Sequence, residues 1–203
     1  MDMVNHVPLP RLAIFRLLSL KDKLSKSTDT PITERMDYFS AAATILYGLH
    51  FSIVRLYHLY DPRRKHARAL WIAACALAFI SHVTYLSLLP RFDYTYNIVA
   101  NSVIGFTHNF FWLIYSLPSS MSVFTRFPAR PRVYRPRLVN QAAWLVLFTT
   151  AATGLELFDF PPVRRIIDAH SLWHLATALV APFWYQFLVE DTMDDGWYPP
   201  KEE

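Results

Sequence analysis

Two histidines four residues apart, His170 and His174, are the residues of this chain best placed to do chemistry. On a helix, side chains at that spacing lie on one face, about 6 Å apart at Cβ, which is close enough for two imidazoles to bind one metal ion. The apolar run from Leu172 to Val189 is about long enough to cross a bilayer. Ionisable groups at membrane depth are costly unless they are paired, metal-bound or facing a cavity. The spacing therefore favours a functional site over packing in a soluble core.

The elements that must position this pair are apolar segments of membrane-spanning length. The chain has 203 residues, of which 53% are hydrophobic, and these are concentrated in five windows. The windows are Tyr38–Leu56, Ala69–Pro90, Ile98–Leu117, Leu138–Leu157 and Leu172–Val189. Each is close to the length of about 20 residues that crosses the hydrocarbon core of a membrane. The pattern predicts an all-α fold, a polytopic membrane helical bundle of about five transmembrane helices.

Two charged segments flank the predicted membrane domain, which covers residues 34–190. Residues 1–33 carry five basic side chains around a short apolar stretch that Arg16 interrupts, so they fit neither a spanning helix nor a signal peptide. We expect this segment to be an interfacial amphipathic helix or a stretch outside the native core. Residues 191–203 are expected to form an acidic cytoplasmic tail. The single cysteine, Cys75, permits no intrachain disulfide and is expected to be a packing residue.

Basic residues on alternate connections predict the topology. One side of the membrane receives most of them: Arg63, Arg64, Lys65, Arg68, Arg126, Arg130, Arg132, Arg135 and Arg137. The opposite connections hold only Arg91, Arg164 and Arg165. The positive-inside rule places the Arg-rich side in the cytoplasm, so Asp37 and the histidine pair face the lumen or exterior. Topology accounts for the formal net charge of +4, and no nucleic-acid partner is implied.

Further polar residues at membrane depth collect on the side that holds the histidine pair. They are Asp37, His82, Asp93, Asn97, Asn101, Glu156 and Asp159. The four-residue spacing of Asn97 and Asn101 puts both amides on one helical face. Each residue taken singly could be a helix cap, and that explanation is favoured for Asp93 and for Asp159. Helix caps alone, however, would occur equally on both sides of the membrane, so the collection as a whole favours a functional site.

Four stretches near the predicted helix ends combine these polar residues with aromatic ones. They are Glu34–Ser40, Phe92–Asn101, Leu155–Pro162 and Asp168–His174. In this order and spacing they resemble the post-GPI attachment to proteins factor 3 family, from a superfamily of seven-helix membrane hydrolases that includes the alkaline ceramidases. The resemblance runs from about Thr28 to Asp191 and covers roughly the last five helices of seven. It implies that the bundle is the remnant of a seven-helix hydrolase fold.

The resemblance implies GPI-anchor fatty-acid remodelling, in which the sn-2 acyl ester of the GPI inositol phospholipid is hydrolysed. GPI-anchored proteins and membrane lipids would be the partners, and the endoplasmic reticulum membrane, or alternatively the Golgi membrane, the location. The superfamily holds zinc with three histidines near an aspartate and a serine. Two of the histidines match His170 and His174, and the aspartate matches Asp37. Zinc would polarise the ester carbonyl and acidify a bound water, while the carboxylate accepts a proton.

Two positions depart from the family pattern. The third histidine falls on Lys26 and the serine falls on Asp22. A protonated lysine does not replace a neutral imidazole, and a two-histidine site binds zinc weakly. We therefore expect an N-terminally truncated member with an incomplete site, in which His82 could supply a replacement ligand. Two alternatives stay open: a non-catalytic membrane scaffold or receptor-like relative, and, ranked last, an ion or proton transporter.

Overall fold

A computed structural model describes residues 31–121, 123–158, 160 and 168–198. These residues form five long helices and no strand. The helices are α1 (Pro31–Leu56), α2 (Lys65–Leu88), α3 (Tyr94–Ser116), α4 (Val139–Leu157) and α5 (Ala169–Thr192). The chain divides into two compact units, residues 1–42 and residues 43–203. The predicted all-α, multi-pass helical fold is confirmed.

Four of the five helices are long and apolar enough to cross a membrane, namely α1, α2, α3 and α5. The predicted fourth window does form a helix, but α4 is not among the candidate spans found in the described residues. Its 19 residues include Asn140 and Gln141 in the first turn and three threonines, Thr149, Thr150 and Thr153. These polar groups lower the mean hydropathy of a helix that is short for a bilayer.

Local sequence explains where several helices begin. Pro31 opens α1, where its missing N–H costs no hydrogen bond. Asp93 caps α3, since its side chain accepts a hydrogen bond of 2.9 Å from the Tyr96 backbone N–H. The capping explanation for Asp93 is therefore confirmed. Asp168 caps α5 in a capping box with Ser171.

The second unit is built around three helices, because α3 packs extensively on α4 and α4 on α5. A buried cluster fills the space between them: Leu56, Trp112, Tyr115, Val139, Ala142, Leu145, Val146 and Phe187. By contrast, α2 exposes large apolar side chains along its length, including Leu70, Leu77 and Leu88. Exposure of that kind suits a helix surrounded by lipid rather than by water.

Candidate metal site

The two histidines of the predicted metal site lie one turn apart at the start of α5. The Nε2 atoms of His170 and His174 are 3.0 Å apart, and the two rings are perpendicular with their centroids at 4.5 Å. Tetrahedral zinc, with Zn–N bonds of about 2.0–2.1 Å, holds two nitrogens about 3.3 Å apart. The pair therefore converges at nearly the separation that a shared zinc ion requires, and these residues fit the metal.

The start of α5 fixes where these imidazoles stand. The Asp168 carboxylate accepts the Ser171 backbone N–H at 2.7 Å, and it also accepts the Ser171 hydroxyl. The hydroxyl bond, followed by the backbone bond, lowers the pKa of Asp168 from its ordinary value, so the capping carboxylate is ionised at neutral pH. The Trp173 ring lies 5.6 Å from that of His170 and 4.6 Å from that of His174, which limits the rotation of both imidazoles.

The third predicted site residue, Asp37, is an exposed residue of α1 in the first compact unit, where its backbone carbonyl accepts a hydrogen bond of 2.8 Å from the Ser40 hydroxyl. Its role beside the histidines stays a prediction. Asp22, Lys26 and Asp159 lie outside the described residues, and so does the side chain of Glu156.

The role of His82 as a replacement ligand stays a prediction. Within the described part of the chain, His82 belongs to no group of three potential metal donors. It is buried in the second unit and stacks on Tyr96 with ring centroids at 5.4 Å. On α3, Asn101 Nδ2 donates to Asn97 Oδ1 at 3.1 Å, which confirms that these amides share a helical face.

A buried ionic network that was not predicted from the sequence lies at the other end of α5. Arg55 Nε donates to Asp191 Oδ2 at 2.6 Å, and Arg55 Nη2 donates to Asp191 Oδ1 at 3.0 Å. The Tyr115 hydroxyl donates to the same Oδ1 at 2.5 Å. The two charged side chains are 5% and 1% exposed, so Asp191 belongs to the packed interior rather than to a solvated tail. Arg55, an arginine in an otherwise apolar predicted span, was the sequence feature that could have indicated this network.

The helices and the histidine pair together define a multi-pass helical membrane protein with a candidate metal site at the start of its last long helix. The sequence model of the Per1-like family matches residues 21–192. The chain belongs to the Per1-like family, and the family resemblance found in the sequence is confirmed.

Several curated relatives are similar over most of this chain. The "Protein PER1 homolog" of Schizosaccharomyces pombe is 39% identical over 165 residues, which cover 79% of this chain and 45% of the relative. The human protein named "GPI-specific phospholipase A2-like PGAP3" is 37% identical over 166 residues, covering 81% and 46%. Its namesake in Danio rerio is 35% identical over 186 residues, covering 90% and 54%. The chain spans about half the length of these relatives. No solved structure matches it.

Proposed function

We propose that this chain acts in GPI-anchor remodelling as a lipid-ester hydrolase that removes the sn-2 acyl chain of the GPI inositol phospholipid. The convergent Nε2 atoms of His170 and His174, 3.0 Å apart, are the observation that carries the proposal. Membership of the Per1-like family supports it, as do relatives whose names specify a GPI-specific phospholipase A2-like protein. GPI-anchored proteins and their lipid are the proposed partners.

In this proposal His170 and His174 hold a zinc ion through Nε2, and Asp37 is the carboxylate of the reaction. The bound metal supplies Lewis acidity toward the ester carbonyl and toward a water molecule. The protein contributes two imidazoles whose rotation Trp173 restricts. Asp37, exposed on α1, would accept the proton that the attacking water loses.

The start of α5 is proposed to face the lumen of the endoplasmic reticulum or the Golgi. Arg63 and Arg64, between α1 and α2, and Lys65, the first residue of α2, are exposed. They support a cytoplasmic assignment for the other membrane side, because basic connections stay in the cytoplasm. A lumenal site would meet its substrate directly, since GPI-anchored proteins face the lumen.

The first test combines metal content with a cellular assay. We expect the purified full chain to hold about one zinc ion, and His170→Ala or His174→Ala to lose it. His66→Ala is the matched control, because His66 is exposed in the first turn of α2 and is not part of the proposed site. In cells that lack their own remodelling factor, mass spectrometry of the GPI lipid reports whether the unsaturated sn-2 chain is removed.

Removal by the wild type and by His66→Ala, with retention in both α5 variants, is the expected result. Zinc binding without removal would instead favour a non-catalytic, receptor-like relative. Removal that survives both α5 substitutions would refute the proposed role of the histidine pair.

A further inference from the structure

A buried ion pair joins α1 to α5 near their C-terminal ends. Arg55 lies in the last turn of α1 and Asp191 in the last turn of α5. Their two-point contact, at 2.6 and 3.0 Å, uses both carboxylate oxygens and two nitrogens of the guanidinium. Fork-to-fork geometry of this kind fixes the orientation of both partners as well as their distance.

The groups around the pair allow it only one arrangement. Arg55 Nη1 donates to the Arg126 carbonyl at 2.8 Å, and the Arg55 guanidinium carbon lies 4.4 Å from the Trp197 ring centroid and 4.8 Å from that of Phe127. Trp197 Nε1 in turn donates to the Asp191 carbonyl at 2.8 Å. The guanidinium is thus enclosed by an acid, a carbonyl and aromatic faces. A shift of either helix along its axis would break these contacts.

Stability alone does not explain why these charges are buried. Replacing a buried ion pair by apolar residues of similar volume is often neutral or stabilising, so what such a pair adds is a defined geometry. That geometry matters for the part of α1 in the second unit, residues 43–56. Extensive backbone packing joins α3 to α4 and α4 to α5, and in the described residues α1 forms no interface of that extent. Individual side-chain contacts therefore determine its register, including Ser52 Oγ with His108 Nδ1 at 2.7 Å.

The helix that this ion pair holds also carries the two proposed ligands, His170 and His174, at its opposite end. We propose that Arg55 and Asp191 are positioning residues that fix the axial register of α5 against residues 43–56 of α1. This register can be measured whether or not the proposed function holds.

The variants keep the charges and change only the geometry. Asp191→Glu lengthens the acid by one methylene, and Arg55→Lys replaces the two-point contact by a point charge. Asn109→Leu is the matched control, since buried Asn109 donates to Thr150 Oγ1 at 2.9 Å and so links α3 to α4 only.

Register is measured on the full chain with two spin labels, in a background in which Cys75 is replaced by alanine. Tyr47→Cys on α1 and Leu179→Cys on α5 are suitable because both side chains are exposed. We expect one narrow distance distribution in the wild type and in Asn109→Leu. Arg55→Lys and Asp191→Glu should each shift or broaden it by about the 1.5 Å rise of one helical residue. Unchanged distributions in both variants would overturn the proposal, and if one variant does not fold, the other decides.

Zinc content separates this proposal from the proposed function. Both proposed ligands lie on α5, so we expect Arg55→Lys and Asp191→Glu to bind zinc as the wild type does. A wild type that binds no zinc would refute the proposed function, while the spin-label distances would still test the register.

Discussion

Removing one member of the Arg55–Asp191 pair should be far more damaging than removing both. In Asp191→Leu the guanidinium keeps its burial, because only 5% of it is exposed, but it loses its counter-charge and two hydrogen bonds. The Tyr115 hydroxyl also loses its acceptor. Leaving a charge buried without a partner costs about 3–5 kcal/mol. For a chain of this length, about 2–4 °C of melting temperature per kcal/mol predicts a loss of about 6–20 °C.

The double variant Arg55→Met/Asp191→Leu removes both charges and keeps similar volumes. We expect it to lie within about 1 kcal/mol of the wild type, because neither desolvated charge remains. The assay is thermal and denaturant unfolding in one detergent, analysed as a double-mutant cycle. A single-variant loss below about 1 kcal/mol, or a double variant as unstable as Asp191→Leu, would refute the argument that the pair is buried and coupled.

Two further predictions concern Gly196 and His58, which lie outside the five long helices. Gly196→Ala should destabilise the chain by about 1–3 kcal/mol, because an added Cβ would lie 2.7 Å from Cγ of Phe127. Gly48→Ala is the control: its added Cβ would lie 3.5 Å from the nearest atoms, so its melting temperature should be close to that of the wild type. Burial lowers the pKa of His58 from its ordinary value, and the hydrogen bond to the Thr125 carbonyl offsets only part of this effect. The folded chain therefore binds this proton less readily than the unfolded chain, so stability is complete above about pH 6.5 and falls below it. His58→Asn, which tolerates the positive φ of 53°, should flatten that part of a melting-temperature profile; an unchanged profile would contradict the assignment.

Hydropathy predicted the positions of the helices well, because a bilayer imposes one strong length requirement on every span. The boundaries were less accurate where polar residues extend a helix into the membrane interface. The first window began at Tyr38, whereas α1 begins at Pro31. The second began at Ala69, whereas α2 begins at Lys65. Apolar windows cannot include such turns, which are helical but hydrophilic.

The histidine pair was predictable because its geometry is local. Spacing within one helix fixes which side chains share a face, and the 3.0 Å approach of the two Nε2 atoms confirms that prediction for His170 and His174. The ion pair was not predictable in the same way. Arg55 and Asp191 are separated by 136 positions, and nothing in helical periodicity selects one distant partner among several acids. Residues 191–203, which include the acidic end of α5, were therefore predicted to form a solvated tail.

The two ends of α5 show why one helix can combine exposed chemistry with a fixed position. At its start, His170 is half-buried and His174 is exposed, as ligands must be if a metal, water and an ester are to reach them. At its other end, Asp191 is 1% exposed in its side chain and held by Arg55 and Tyr115. The rise per residue of a helix links the positions of its two ends, and in α5 this link passes through Pro182, which lacks one backbone hydrogen bond. The end with the histidine pair can therefore remain open to solvent, while buried contacts elsewhere on the same helix anchor α5 in the bundle.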